Sequence, residues 1–115
     1  MPNDCLFCDI SNGRIPATIV YQDDQIVAFN DVNPQAPTHV LVVPRTHIAT
    51  LNDLSSDHDG IVGEMVRRAA LIAYNLGHAE DGYRTLLNCN GDAGQTVFHI
   101  HLHLLAGRRM SWPPG

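Results

Sequence analysis

The sequence predicts an α+β domain on three observations: five short segments of strand-like apolar content, one long helical stripe between the third and fourth of them, and a last segment in which histidine alternates with apolar residues. At 115 residues the chain fits a single domain, 1–115, large enough to bury a core without obligatory cross-links.

From Cys5 to Ser11 the apolar positions Leu6, Phe7 and Ile10 predict a short helix, closed by Asn12-Gly13. Thr18 to Tyr21 and Gln25 to Phe29 read as strands joined into a hairpin through Gln22, Asp23 and Asp24. Pro34 and Pro37 then interrupt regular structure, because each fixes φ and removes a backbone donor. A third strand is expected at His39 to Pro44. Ser55 to Asp59 supplies capping side chains for a long helix over Gly60 to Leu76, with Ile61, Met65, Ala69, Ile72 and Leu76 on one face and Gly77 as its stop. Val62, Val66 and Ala73 widen that stripe, so the helix is expected to cover the sheet and offer a face to another subunit. Arg84 to Cys89 and Val97 to Leu105 complete the strands. The turn between them, Asn90 to Gln95, carries glycines that permit positive φ and a close backbone approach to a ligand. The tail Trp112-Pro113-Pro114-Gly115 is stiff and apolar, and reads either as a loose end or as a segment docked on a subunit or over a pocket.

The chemistry is expected at residues 99 to 105. Alternation puts His99, His101 and His103 on one face of a strand and Ile100, Leu102 and Leu104 on the other, with the rings roughly 6.5 Å apart. Such a row is a wet strand face, a metal site, or a centre for proton transfer and nucleophilic attack. Composition narrows the third option. Twelve acidic residues face seven arginines, for a net charge of −5, which argues against a nucleic-acid or membrane-surface partner. The chain has no lysine, which excludes Schiff-base, lysyl-nucleotide and Walker-type mechanisms and favours histidine as the nucleophile. Three cysteines do not describe a disulfide scaffold. Cys5-x-x-Cys8 fits half of a zinc site or a redox pair, and with no second such pair zinc would need histidines for its remaining ligands; Cys89 reads as a packed apolar side chain. Met1 to Asp4 carry neither a basic nor an apolar export region, so a soluble, cytoplasmic protein is expected.

The heptad His99 to Leu105 resembles the signature of the histidine triad superfamily. Pro34 to His47, Gly94 to His99 and Gly107 to Gly115 extend the likeness to its nucleotide-binding branch, over residues 4 to 115. The resemblance implies a five-stranded antiparallel sheet with one short and one long helix, a homodimer, and hydrolysis of purine nucleoside 5′-phosphoramidates, with dinucleoside polyphosphate hydrolysis or a nucleotide-binding regulatory role as the alternatives. It implies that His101 is the nucleophile on the α-phosphorus, that His103 assists as phosphate ligand and acid, and that His39 supports them through hydrogen bonds. Gly94, Gln95 and Thr96 would hold the phosphate, Asp31 the ribose hydroxyls with Val32 beside it, and Asn88 the ribose or phosphate end. Leu6, Phe7, Ile10, Phe29 and Leu41 would line the base pocket, with Trp112 close by. Zinc-holding members further imply a structural Zn²⁺ on Cys5, Cys8, His47 and His99, a closed set that leaves His101 and His103 to the chemistry. The chain departs from many relatives at Thr96, where they carry serine; the hydroxyl is kept and its rotation restricted.

Overall fold

A computed structural model describes residues 5–115; Met1 to Asp4, on which the absence of an export signal was read, lie outside the described residues. The architecture is organised around one central strand whose sequence, Thr-His-Val-Leu-Val-Val-Pro, is apolar almost throughout because both of its faces are covered. In chain order the elements are α1 (Leu6–Ser11), β1 (Ile19–Gln22), β2 (Ile26–Asn30), β3 (Thr38–Pro44), α2 (Asp59–Asn75), β4 (Arg84–Leu86), α3 (Asn90–Ala93) and β5 (Leu102–Ala106). The five strands form one antiparallel sheet in the order β1-β2-β3-β5-β4. Among the described residues no helix is long and apolar enough to cross a membrane.

The two faces of the sheet carry different tasks. Ile26, Ala28, Val40, Val42, Ile100, Leu102 and Leu104 face α2, whose Met65, Ala69, Ile72 and Ala73 complete the main core. The opposite face holds a smaller cluster of Val27, Phe29, Leu41, Val43 and Phe7, so α1 is the lid on the side where the odd-numbered residues of β3 and β5 emerge. Met65 is fully buried at the centre of the α2 contact. Met65→Ala is therefore expected to cost about 2–5 kcal/mol of unfolding free energy, read as a lower denaturation midpoint with an unchanged denaturant slope.

Five expectations are corrected. The last strand is paired only from Leu102, not Val97: the β3–β5 ladder ends with Val42 opposite Leu102, Pro44 having no N–H to carry it on, and His99, in a bend, and His101 precede the ladder on a stretch held by Ile100 N–H donating to Ile48 O at 2.7 Å. The alternation itself persists, since Ile100 still enters the main core. The fourth strand ends at Leu86 rather than Cys89, because Leu87 leaves the edge to pack against the core; half-buried Cys89 precedes α3 instead of sitting in a strand. The expected Asn90 to Gln95 turn is a single helical turn, entered by Asn90 at φ 64° and closed by Gly94 at φ 84°. The capping residues ahead of α2 serve a separate short turn over Ser56–His58, where Ser55 Oγ accepts from Asp57 N–H. Leu76 is not in the core: α2 stops one residue earlier, with Gly77 at φ 85°.

Candidate active site

His103 lies opposite Leu41 in the β3–β5 register, and His39 stands two residues from Leu41 on the same face of β3, so two central strands deliver two imidazoles side by side. His39 Nε2 and His103 Nδ1 are 2.9 Å apart. His101 stands just ahead of β5, its ring 5.0 Å from that of His103 and 4.9 Å, edge-on, from Phe7 of α1.

Backbone groups decide which nitrogen of each ring carries the proton. His101 Nδ1 is 2.7 Å from the carbonyl of His99, which can only accept, so Nδ1 is the donor and Nε2 keeps a bare lone pair. His99 is set in the same way: its Nε2–H donates to Pro44 O at 2.7 Å, and Nδ1 is left as a ligand atom. Gln35 N–H donates to His39 Nδ1 at 3.0 Å, which puts the His39 proton on Nε2, facing His103 Nδ1. His103 must then carry its own proton on Nε2. That atom is buried and has no hydrogen-bond partner among the described residues. His101 and His103 thus present opposite chemistry: one an available lone pair, the other an N–H donor awaiting an acceptor. Burial lowers the pKa of His39, His101 and His103 alike, and places His103 at about 4, with His101 and His39 adding to the effect, so all three rings are neutral at physiological pH.

Asp31 continues from β2, its N–H bonded to His39 O at 2.9 Å. Its Oδ1 accepts from Asn33 N–H at 2.9 Å, and its Oδ2 lies 3.4 Å from His39 Nε2. The carboxylate is both a turn residue and a neighbour of the histidines.

A second constellation sits on the other side of His99. Cys5 Sγ and Cys8 Sγ lie 3.3 and 3.4 Å from His99 Nδ1, His47 Nδ1 is 3.3 Å from Cys8 Sγ and from His99 Nδ1, and all four atoms fall within 4.8 Å of one another. A tetrahedral Zn²⁺ with bonds of about 2.3 Å to sulfur and 2.05 Å to nitrogen has N···N edges of about 3.3 Å and S···N edges of about 3.6 Å, so the donor set fits that ion closely.

Other expected site residues are placed less directly. Gln95 is buried with its side chain committed: Oε1 accepts from Asn90 N–H at 2.8 Å, and Nε2 donates to Ala49 O at 2.8 Å and Val97 O at 3.1 Å. The Gly94 and Gln95 N–H groups also bond within the turn, so these residues brace the loop instead of offering donors to a phosphate, and exposed Thr96 is what the segment presents. Phe29 and Leu41 are core residues that form only the floor under Phe7, whereas Leu6, 42% exposed, and half-buried Ile10 keep free surface. Asn88 is half-buried between β4 and α3. Val32 is 100% exposed and Trp112 82% exposed, so neither packs into this chain's own cleft; Arg84 Nη2–H donates to Ser111 O at 3.0 Å and tethers the tail beside β4. The groups that side-chain identity could not supply are backbone ones: the carbonyls of His99 and Pro44 and the N–H of Gln35. A side-chain reading holds no signal for them, though Pro44 marks where β3 must stop.

Comparison with known proteins agrees with this arrangement. Residues 12–110 match the family described as HIT domain. A purine nucleoside phosphoramidase of Escherichia coli (strain K12) is 50% identical over 108 residues, covering 94% of this chain and 91% of that protein. A HIT family hydrolase from Legionella pneumophila Philadelphia 1 superposes with a TM-score of 0.96 at 52% identity, covering 97% of this chain and 100% of that one. A Zn-bound histidine triad family protein from Mycobacterium smegmatis superposes with a TM-score of 0.79 at 34% identity over 97% of this chain and 80% of that one. With the fold, the histidine row and these matches in agreement, the chain belongs to the histidine triad (HIT) family of hydrolases.

Proposed function

We propose that this protein hydrolyses purine nucleoside 5′-phosphoramidates through a nucleotidyl intermediate on His101. The observation that carries the reading is the 2.7 Å bond from His101 Nδ1–H to the His99 carbonyl, which leaves Nε2 as a nucleophile needing no prior deprotonation. In the first step the Nε2 lone pair attacks the α-phosphorus, a P–N bond to His101 forms, and the P–N bond to the leaving amine breaks. The departing nitrogen takes up a proton as it leaves; in the second step water attacks phosphorus and gives up a proton that balances it, the bond to His101 breaks, and nucleoside 5′-monophosphate is released. His103 Nε2–H, buried without an acceptor, is the donor for charge developing on the phosphate oxygens or the departing nitrogen. His39 holds His103, Asp31 takes the ribose hydroxyls, and Thr96 meets the phosphate edge. The base lies over Phe7, Leu6 and Ile10.

Cys5, Cys8, His47 and His99 would hold a structural Zn²⁺, supported by the tetrahedral edge lengths and by the Zn-bound relative. Bound there, the ion supplies a cross-link between α1, the segment after β3 and the stretch before β5, with all four positions filled by protein. The chain is proposed to act as a homodimer. Exposed Val66 and Tyr74 of α2, together with the open edge of β4 and its tethered tail, would supply the surface and bring Trp112 toward the partner's cleft.

The test is steady-state turnover of adenosine 5′-phosphoramidate set against diadenosine polyphosphates. The expected outcome is a kcat/KM at least about a hundredfold higher for the phosphoramidate, equivalent to about 2.7 kcal/mol of transition-state preference. Preference for the dinucleotide would reassign the reaction to P–O bonds between phosphates.

A further inference from the structure

Asp31 stands at the meeting point of two sets of groups. Each oxygen of an ionised carboxylate can accept two hydrogen bonds. One position on Oδ1 is taken by Asn33 N–H, and Oδ2 faces His39 Nε2–H at 3.4 Å, which leaves one position on each oxygen for a vicinal diol. The His39 Nε2–H is therefore shared between Asp31 Oδ2 and His103 Nδ1 at 2.9 Å, while Gln35 N–H holds the far side of the ring at Nδ1. The sequence of donors is directional: Gln35 N–H to His39, His39 N–H to His103 and Asp31, and His103 Nε2–H left without an acceptor among the described residues. Resting on the reading under Proposed function, we propose that Asp31 is a positioning residue for His103, acting through His39, so that the carboxylate that takes the ribose also fixes the proton on His103 Nε2.

The same three side chains lie close enough together to suggest a cation site. Proton placement argues for the relay instead. With Nδ1 accepting from Gln35, neutral His39 carries its proton on Nε2 and has no lone pair there for a metal. Gln35 N–H holds the ring at Nδ1 alone, so withdrawing the Asp31 acceptor removes the anchor on the Nε2 side, loosens the aim of His39 Nε2–H at His103 Nδ1, and weakens the hold on a single His103 tautomer. A flipped His103 would present a lone pair to the phosphate where an N–H is needed. Loss of the carboxylate should thus act on the chemical step even for a substrate that has no diol to bind.

Asp31→Asn is the informative variant, because an amide keeps the size but offers one acceptor oxygen for two donors that point at different atoms. The first measurement is long-range proton–nitrogen correlation of the imidazole rings in the full-length protein, which needs no turnover. In the unmodified protein His39 and His103 are expected as pure Nε2–H tautomers, and in Asp31→Asn the His103 nitrogens should move to averaged shifts. The second is kinetics on 2′,3′-dideoxyadenosine 5′-phosphoramidate, where Asp31→Asn is expected to lower kcat about tenfold with KM nearly unchanged. His39→Gln, whose amide N–H can reach His103 Nδ1, should retain the His103 tautomer, and His39→Ala should lose it. These two variants carry the test if Asp31→Asn fails to fold. An unaltered His103 tautomer in Asp31→Asn or His39→Ala, or equal kcat on the dideoxy substrate, would overturn the proposal. If the unmodified protein turned over no phosphoramidate, the functional reading would fall, and the tautomer measurement would still decide the coupling.

Discussion

His101→Ala is expected to lower kcat by at least about 10⁴-fold, to the level that positioning and the remaining donors sustain, while binding of a nucleoside 5′-monophosphate weakens by less than about tenfold. The asymmetry follows from geometry. Nε2 forms a bond to phosphorus only along the reaction path, whereas in the ground state the ring contributes one edge contact with Phe7 and one neighbour, His103. The check is single-turnover kinetics with an alkaline denaturing quench, which spares an acid-labile P–N bond, to trap a nucleotidyl adduct present in the unmodified protein and missing from the variant. A variant with near-normal kcat would remove the covalent step from the mechanism.

Cys8→Ser is expected to have the largest effect on stability. Cys8 is buried, its Sγ reaches both His47 and His99, and it lies in α1, the lid over the smaller core cluster. A group bound only by the folded state contributes about 4 kcal/mol when its free concentration is a thousandfold above its dissociation constant, and a structural Zn²⁺ held by thiolates can contribute more. The unmodified protein purified under reducing conditions should contain one zinc per chain, and Cys8→Ser should have little metal and a Tm lower by ten degrees or more, on the scale of about 4–8 °C per kcal/mol for a domain of this size. Excess chelator should lower the Tm of the unmodified protein and leave that of the variant where it is. A zinc-free unmodified protein that takes up no zinc at neutral pH would leave Cys5 and Cys8 as residues of a capped helix turn.

Much of this was legible in the residues, for a definite reason. The alternation from His99 to Leu104 has a period of two, and a strand converts that period into faces whatever the rest of the chain does, so the split between imidazoles and core could be read directly. Gly77 stopping α2 and the hairpin between β1 and β2 are equally local, since each depends on a few adjacent residues. Element ends were less legible. Pairing from Leu102 depends on where a strand 58 residues earlier runs out at Pro44, and the lift-off after Leu86 depends on room in the core for Leu87, neither of which a window of sequence contains.

By itself, then, the sequence determined residue chemistry and periodicity: no lysine, a histidine row on one face, a C-x-x-C pair near the start, and the apolar stripe of a covering helix. Tertiary structure decided which atoms of those residues are available. The bare Nε2 of His101, the unpartnered Nε2–H of His103 and the ligand-ready Nδ1 of His99 are set by the His99 carbonyl, by Gln35 N–H acting through His39, and by the Pro44 carbonyl. The physical reason is that an imidazole's two nitrogens are interchangeable until a neighbour of fixed polarity chooses between them, and here those neighbours are backbone groups, identical in every residue and informative only once the chain has placed them.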